Sequence, residues 1–305
     1  MMPAVPSRSM TAADSAATRP FWHLLMPPLF VVLWASGFVV TKLGVDVAEP
    51  FTFLLYRFVV VTGLMLAIAL VTRAPWPRHW RFAGHIAVVG VLLQGMYLGG
   101  VYTAIDRGIP AGISALVVGL QPIITGAVVG PFLGDRVTAR QWLGLVLGLF
   151  GVGLVLWQKL SLDLAHIEGV AWNVVGLVGI TAATLYQKKY CSQMDWRSGG
   201  AIQYAAASAV ILAMLLIMGE SGAIVWTRDI VIAYAWLILV LSIGAVSLLG
   251  WLIRRGEASR VASVFYLVPL AAAFGSWMLL GETLGPLALA GMGITVLGVA
   301  LAARR

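Results

Sequence analysis

The stretch that decides the fold occurs twice in the chain. Residues 107–135 read RGIPAGISALVVGLQPIITGAVVGPFLGD, and residues 254–282, which begin 147 positions later, read RRGEASRVASVFYLVPLAAAFGSWMLLGE. Without a gap, Pro122 aligns with Pro269 and the turn Leu133-Gly134-Asp135 aligns with Leu280-Gly281-Glu282. The match runs on to the glycines of residues 144–151 and 291–298. Paired prolines, glycines and acids are not generic matches between apolar segments, so the sequence indicates an internal repeat.

The composition places both copies in a membrane. Of the 305 residues, 61% are apolar and only 10% are charged, and the mean hydropathy is +0.96. Soluble domains carry about a quarter charged residues. A surface with so few charges is poorly suited to water, whereas lipid accepts an apolar exterior. The sequence therefore predicts an all-α integral membrane protein in contact with the lipid bilayer.

Apolar runs long enough to cross a bilayer, about 20 residues each, predict ten transmembrane helices. Their approximate bounds are 22–41, 50–72, 83–105, 110–133 and 139–157 in the first half, then 168–188, 198–219, 231–253, 258–280 and 285–303. Residues 1–21 are expected to form a disordered cytoplasmic tail, 22–157 a first five-helix repeat and 168–303 a second. Because five is odd, equivalent helices cross the membrane in opposite senses, which predicts an inverted repeat.

The basic residues predict the orientation. Fifteen of the 20 Lys and Arg residues fall in the N-terminal tail, the even-numbered loops and the C-terminus, whereas four fall in the odd-numbered loops. Positive residues collect on the cytoplasmic side, so both termini are expected in the cytoplasm. The net charge of +8 comes from residues scattered between apolar runs, and we therefore expect no nucleic-acid partner.

These motifs resemble a known family. Pro122 followed by Leu133-Gly134-Asp135, and Pro269 followed by Leu280-Gly281-Glu282 and a Gly-rich last span, are similar to the EamA-type repeats of the drug/metabolite transporter superfamily. Tyr56-Arg57-Phe58 is similar to that family's Arg-Phe signature. The resemblance implies ten helices in two inverted five-helix bundles around a central cavity lined mainly by spans 1, 3, 4, 6, 8 and 9. It also implies export of amino acids, drugs or other small metabolites.

The two aligned prolines are candidate gating positions. Pro122 and Pro269 lie about 12 and 11 residues into their predicted spans, which places both roughly 17 Å deep. A proline inside a helix removes one amide hydrogen bond and kinks the helix. Freed carbonyls at that depth need a protein interior or a wet cavity. A packing kink is the alternative for each proline, but equivalent positions in inverted halves favour a hinge or a binding site.

Polar and aromatic side chains at helical spacing are candidates for the wall of the cavity. Ser114, Gln121 and Thr125 share one face of span 4. The full set of expected substrate-binding residues is Trp34, Gln94, Tyr97, Ser114, Gln121, Thr184, Trp251 and Tyr266. The alternative is structural, because Ser and Thr often bond only within their own helix and Trp and Tyr near span ends form interface belts.

Arg57 is the only charge well inside a predicted span, and an intramembrane charge is a functional hypothesis by default. The alternative is that its side chain snorkels to the outer surface, near Glu49. The central parts of the spans contain no Asp, Glu or His. The sequence thus predicts no proton relay, no catalytic constellation, no metal site and no cofactor. The protein is not expected to be an enzyme.

The leading hypothesis is an inner-membrane exporter of small metabolites, with amino acids as the favoured substrates, that works by facilitative alternating access. A drug or nucleotide-sugar carrier of the same fold is one alternative, although a phosphate-bearing substrate would require several buried basic residues. A membrane scaffold or receptor subunit without transport is the alternative from another class. Such a protein should have a partner domain or large loops, and this sequence shows neither.

Overall fold

A computed structural model of the chain describes residues 22–125, 128, 138–157, 164–245, 248, 267–282 and 285–303. Within these ranges the chain is helical and has no β-strand. We label the helices in chain order: α1 Trp22–Val45, α2 Pro50–Val71, α3 Trp80–Asp106, α4 Ala111–Thr125, α5 Ala139–Trp157, α6 Leu164–Tyr190, α7 Trp196–Met218, α8 Arg228–Ala245, α9 Val268–Leu280 and α10 Pro286–Ala303. The predicted tail, residues 1–21, lies outside the described residues.

Six helices, α1, α2, α3, α6, α7 and α8, are long and apolar enough to cross a membrane by length and composition. The other four, α4, α5, α9 and α10, are shorter apolar helices. Two of the predicted spans, 110–133 and 258–280, continue into residues outside the described ranges. The all-helical membrane architecture is therefore confirmed, and the count of ten spans stays a prediction.

The fourth predicted span is not one continuous helix. Its first segment, Ala111–Val118, ends in a turn at Gly119 and Leu120, and the chain is helical again over residues 121–125. Pro122 therefore lies in the first turn after a break, where its missing amide removes no helix hydrogen bond. The gating role predicted for Pro122 stays a prediction.

The ninth span shows the same arrangement at the equivalent place. Leu267 lies in a turn and α9 begins at Val268, so Pro269 stands in the first helical turn. Leu267 is the counterpart of Leu120 at the 147-residue offset. Both prolines thus stand in the first turn of a described helical segment, and the gating role predicted for Pro269 also stays a prediction. Residues 258–266 lie outside the described ranges.

Two π-helical segments also occupy equivalent places. The first, Val91–Leu98, lies within α3, and the second, Trp236–Ala245, ends α8. The offset carries residues 91–98 onto residues 238–245, so the segments nearly coincide in the two repeats. A π-helical turn holds more residues than an α-helical turn and is frequent at functional sites. Each segment shifts the face that its helix presents to the interior.

The glycines of the two Gly-rich helices form a close crossing. A Cβ on Gly151 would lie 2.5 Å from the carbonyl oxygen of Gly291, and a Cβ on Gly298 would lie 2.7 Å from that of Gly144. Rising residue numbers on α5 thus meet falling numbers on α10, so the helices cross antiparallel. Small residues permit such close contact between helices inside membranes.

The crossing also maps onto itself, because the offset exchanges Gly144 with Gly291 and Gly151 with Gly298. The α2 and α7 helices, another equivalent pair, show the same antiparallel order: Phe58 stacks edge-on against Tyr204, and Met65 lies next to Gly200. Equivalent helices that run in opposite directions are what an inverted repeat requires.

Candidate functional site

A cavity of about 270 Å³ lies among α1, α2, α3, α7 and α8, with α6 at one end. Its wall is mainly aromatic and aliphatic. The polar and aromatic side chains that line it are Trp34, Thr41, Arg57, Gln94, Tyr97, Tyr102, Gln187, Trp196, Gln203, Tyr204 and Ser242. Both π-helical segments contribute: Gln94 and Tyr97 come from the first, and Leu241 and Ser242 from the second.

Three predicted substrate-binding residues, Trp34, Gln94 and Tyr97, line this cavity. Gln94 is 9% exposed and Tyr97 is 6% exposed. The two side chains stand three residues apart in the first π-helical segment, where both face the interior. The structure therefore brings these three candidates together, and their contact with a substrate stays a prediction.

Arg57 also lines the cavity and does not snorkel to the surface. Only 4% of the residue is exposed. Its Nη1 donates to the hydroxyl of Tyr102 over 2.8 Å, and its Nη2 donates to the hydroxyl of Ser242 over 3.1 Å. The alternative partner, Glu49, instead accepts hydrogen bonds from the backbone and hydroxyl of Ser221. Of the two readings that the sequence left open, the structure supports the inward-facing one.

Aromatic rings close the cavity beyond Arg57. Phe53 stacks on Tyr234 with ring centroids 4.3 Å apart. Phe53 also packs against Tyr102, with ring centroids 5.8 Å apart. The Tyr234 hydroxyl donates to the carbonyl oxygen of Phe53 over 3.0 Å. Trp226 packs against Tyr234 in turn. This layer, which we call the aromatic lid, separates Arg57 from the end of α2 that is predicted to face outward.

Two carboxylates, Glu49 and Glu220, form hydrogen bonds at the start of α2, next to the aromatic lid. Glu220, just after α7, accepts hydrogen bonds from the backbone amides of Phe51 and Thr52 over 3.0 and 2.6 Å. These amides belong to the first turn of α2, whose unpaired donors and positive dipole end favour a carboxylate. Glu49, just before α2, in turn accepts hydrogen bonds from the backbone amide and hydroxyl of Ser221, which follows α7. These contacts tie the start of α2 to the segment that follows α7.

Three other predicted residues lie apart from this cavity. Ser114 is fully buried, and its hydroxyl donates to Asn173 Oδ1 over 3.1 Å. Gln121 donates to Thr125 and Thr184 over 3.1 and 3.2 Å. The break at residues 119–120 explains the difference, because Ser114 and Gln121 are not on one continuous helix. The structure brings Gln121 and Thr184 together, but away from the cavity wall.

Trp251 and Tyr266, the remaining two predicted residues, lie outside the described residues. The turn at Gly119 in α4 nevertheless contacts the start of α9. A Cβ on Gly119 would lie 2.9 Å from Cγ of Pro269. The turn before Pro122 thus packs directly on Pro269, so the two predicted gating positions lie close together.

Several residues of the cavity were missed in the sequence, namely Tyr102, Gln187, Trp196, Gln203, Tyr204 and Ser242. One signal existed for Tyr204, because the 147-residue offset aligns it with Arg57. Tyr102 and Ser242 carried no such mark. Like Gln94, both line the cavity, on helices that contain π-helical turns.

The titratable groups outside the spans show one marked interaction. Asp195 precedes α7, and its carboxylate accepts from the backbone amide of Arg197 and twice from its guanidinium. The hydrogen bonds from the Arg197 side chain hold the pKa of Asp195 below its usual value. Among the described residues, no group of three or more His, Cys, Asp and Glu could hold a metal ion.

Comparisons with known proteins agree with this architecture. An uncharacterized transporter of Bacillus subtilis is 27% identical over 289 residues, which cover 91% of this chain and 90% of the relative. An uncharacterized inner membrane transporter of Escherichia coli is 26% identical over 273 residues, or 88% and 87% of the two chains. A Salmonella typhimurium protein named "probable amino-acid metabolite efflux pump" is 25% identical over 281 residues, or 89% and 91%.

A solved crystal structure of another protein superposes with a TM-score of 0.63 at 15% identity and covers 92% of this chain and 98% of that one, which shows the shared fold. The model of the EamA-like transporter family matches twice, at residues 21–157 and 167–304. Two matched copies together span nearly the whole chain. The chain therefore belongs to the EamA-like transporter family of the drug/metabolite transporter superfamily and is a multi-pass membrane transporter.

Proposed function

We propose that the protein exports small metabolites, amino acids in particular, across the inner membrane by facilitative alternating access. The observation that carries this proposal is the cavity of about 270 Å³ with aromatic walls, amide side chains and one cation. Pockets for drug-sized ligands run from about 300 to 1,000 Å³. A cavity just below that range favours amino-acid-sized substrates over drugs.

The charges of the wall argue against a nucleotide-sugar carrier. A diphosphate requires several Lys or Arg side chains, which bind phosphate oxygens in charge-assisted pairs. Arg57 is the only basic residue among the described residues that line the cavity. The similarity to a protein named an amino-acid metabolite efflux pump supports the same choice of substrate class.

The two repeats supply the parts for alternating access. The turns at Gly119 and Leu267 and the two π-helical segments are local departures from α-helical geometry at equivalent or neighbouring places in the two repeats. Such positions absorb changes in helix direction at low cost. The aromatic lid and the bonds of Glu49 and Glu220 keep one end closed, while Gln187 and Trp196 line the end predicted to face the cytoplasm.

Facilitative transport is proposed because the cavity offers no proton carrier. None of the eight carboxylates among the described residues lines it. Proton-coupled carriers commonly use a buried carboxylate or histidine as a relay. Transport should therefore follow the substrate gradient without an imposed pH difference.

Uptake into liposomes that contain the purified protein tests the proposal. A panel of radiolabelled amino acids, sugars and drugs should show uptake of amino acids above empty liposomes, at equal pH on both sides. Gly200→Leu, which fills the cavity wall, should block it, whereas Gly153→Leu, at a glycine with open space around it, should not. Uptake of drugs or sugars alone would overturn the substrate class, and a strict need for a proton gradient would overturn facilitative transport.

A further inference from the structure

The charge of Arg57 is not balanced by any carboxylate among the described residues. Its two described partners, Tyr102 and Ser242, are neutral hydroxyls. Its Nε is buried and has no hydrogen-bond partner among the described residues. A guanidinium has five N–H donors and does not lose its proton in proteins, so at least the Nε–H group remains available.

The described carboxylates are engaged elsewhere. Glu49 and Glu220 fasten the outer end, Asp195 pairs with Arg197, and Asp46 pairs with Lys42. Glu168 and Asp106 lie near Arg107. Asp229 stands in the first turn of α8, and Glu282 lines a separate groove beside α9 and α10. None of the eight belongs to the cavity wall.

A buried and unneutralised cation is costly, and the cost falls when an anion binds. The low-dielectric wall around Arg57 strengthens its attraction for anions relative to water. The planar guanidinium also matches a carboxylate, because two parallel N–H groups can donate to its two oxygens. Tyr102 and Ser242 each accept a hydrogen bond from one Nη atom, which fixes the plane of the guanidinium before the ligand binds.

We propose that Arg57 binds the carboxylate of the substrate, and that the cavity selects singly charged carboxylates with an apolar or aromatic remainder. This inference rests on the proposed function and names the group by which its substrate is recognised. The aromatic rings of Trp34, Tyr97 and Tyr204 pack against the remainder. Because the described wall has no carboxylate for an ammonium group, the substrate's amine is dispensable, and N-acylated amino acids bind as free ones do.

A ligand series on the unchanged protein tests the proposal without any substitution. Isothermal titration calorimetry would compare N-acetyl-L-phenylalanine, L-phenylalanine and L-phenylalaninamide. We expect the two carboxylates to bind and the amide, which is a cation of similar size, to bind at least about tenfold more weakly, as expected for a lost charge-assisted hydrogen bond. Equal binding of the amide would overturn the proposal.

Substitutions then identify the binding residue. Arg57→Gln should weaken the binding of both carboxylate ligands by about tenfold or more. Arg57→Lys should retain part of the affinity, because it keeps the charge but loses the paired N–H donors of the guanidinium. Arg81→Gln removes an exposed charge at the start of α3 and should change nothing. If Arg57→Gln does not fold, Tyr102→Phe serves in its place and should lower carboxylate affinity severalfold by freeing the guanidinium. Wild-type affinity in the folded variant would overturn the proposal.

The two proposals fail in different ways. Uptake of amino acids that Arg57→Gln leaves unchanged would support export and refute carboxylate recognition by Arg57. Arg57-dependent binding of carboxylates without uptake into liposomes would refute export and support the recognition.

Discussion

Thr295 and Gly148 stand at the same place in the two repeats, 147 residues apart, and they touch: the Thr295 hydroxyl oxygen lies 3.5 Å from the carbonyl oxygen of Gly148. A residue can meet its own counterpart only where the pseudo-two-fold axis passes between them. The flanking contacts of Gly151 with Gly291 and of Gly144 with Gly298 are exchanged by the same operation. The axis therefore runs through the crossing of α5 and α10.

The crossing should tolerate no added methyl group on its inner face. At Gly151 a Cβ would lie 2.5 Å from a backbone oxygen that cannot move aside, and at Gly291 it would lie 2.6 Å from one. Gly151→Ala and Gly291→Ala should each lower the free energy of unfolding by about 1–3 kcal/mol. Thermal unfolding in detergent would measure this loss.

Matched controls lie two residues away on each helix. Gly153→Ala and Gly293→Ala meet nothing within 4 Å, so they should be neutral or raise stability by up to about 1 kcal/mol through helix propensity. Equal losses at inner and outer glycines would show that the crossing is not close-packed.

The two prolines are expected to control the rate of transport. Each stands in the first turn of a described helical segment, and the turn at Gly119 packs on Pro269. Alanine supplies the backbone amide that proline lacks, so Pro122→Ala and Pro269→Ala should favour a continuous helix through these positions. Initial uptake rates should fall severalfold with nearly unchanged yield of purified protein. Wild-type rates in both variants would assign the prolines to packing alone.

Two amides allow a matched test of where the substrate binds. Gln94 lines the cavity, whereas Gln121 bonds Thr125 and Thr184 away from it. Gln94→Leu should raise the half-saturating substrate concentration severalfold, because a hydrogen bond to the substrate is worth about 1 kcal/mol. Gln121→Leu should raise it less. The reverse order would move the binding site toward Gln121 and Thr184.

Asp195 should stabilise the start of α7 in a pH-dependent way. Asp195→Ala removes the N-cap and should cost about 1 kcal/mol, whereas Asp195→Asn keeps a capping oxygen and loses the charge. The carboxyl pKa is depressed by hydrogen bonds from Arg197. Its contribution is therefore full at neutral pH and is lost as the pH falls below the usual value of 3.8. Melting temperatures of the wild type and Asp195→Asn should converge under acid conditions, while Asp195→Ala stays lower because it lacks the capping oxygen. A gap between the wild type and Asp195→Asn that does not change with pH would contradict this assignment.

The orientation can be checked with single cysteines. Ala223 lies in an exposed loop predicted to face outward, and Arg78 in an exposed loop predicted to face the cytoplasm. Cys191 is buried and is replaced by alanine in the background. An impermeant thiol reagent should label Ala223→Cys in intact cells and Arg78→Cys only after lysis. The opposite sidedness would invert the predicted topology.

The sequence predicted the repeat, the helical membrane fold and three cavity residues, Trp34, Gln94 and Tyr97, because these depend on composition and local spacing. It could not decide between two positions for Arg57, since that choice depends on hydroxyls supplied by Tyr102 and Ser242 from two other helices. The shared face predicted for Ser114 and Gln121 assumed a straight helix through Gly119, where the structure has a turn. Helix breaks and π-helical turns leave little trace in an apolar sequence, yet they decide which side chains face inward.

The self-paired crossing of α5 and α10 has a consequence for measurements of motion. If the repeats exchange shapes as the protein opens to one side and then the other, a point on the axis is carried onto itself. Spin labels at Val146 and Gly293, which the 147-residue offset pairs across that crossing, would then hold one separation throughout the cycle. Labels at two positions that the offset does not pair would show two separations. The crossing of α5 and α10 would then be the fixed reference against which the movements of the other helices are measured.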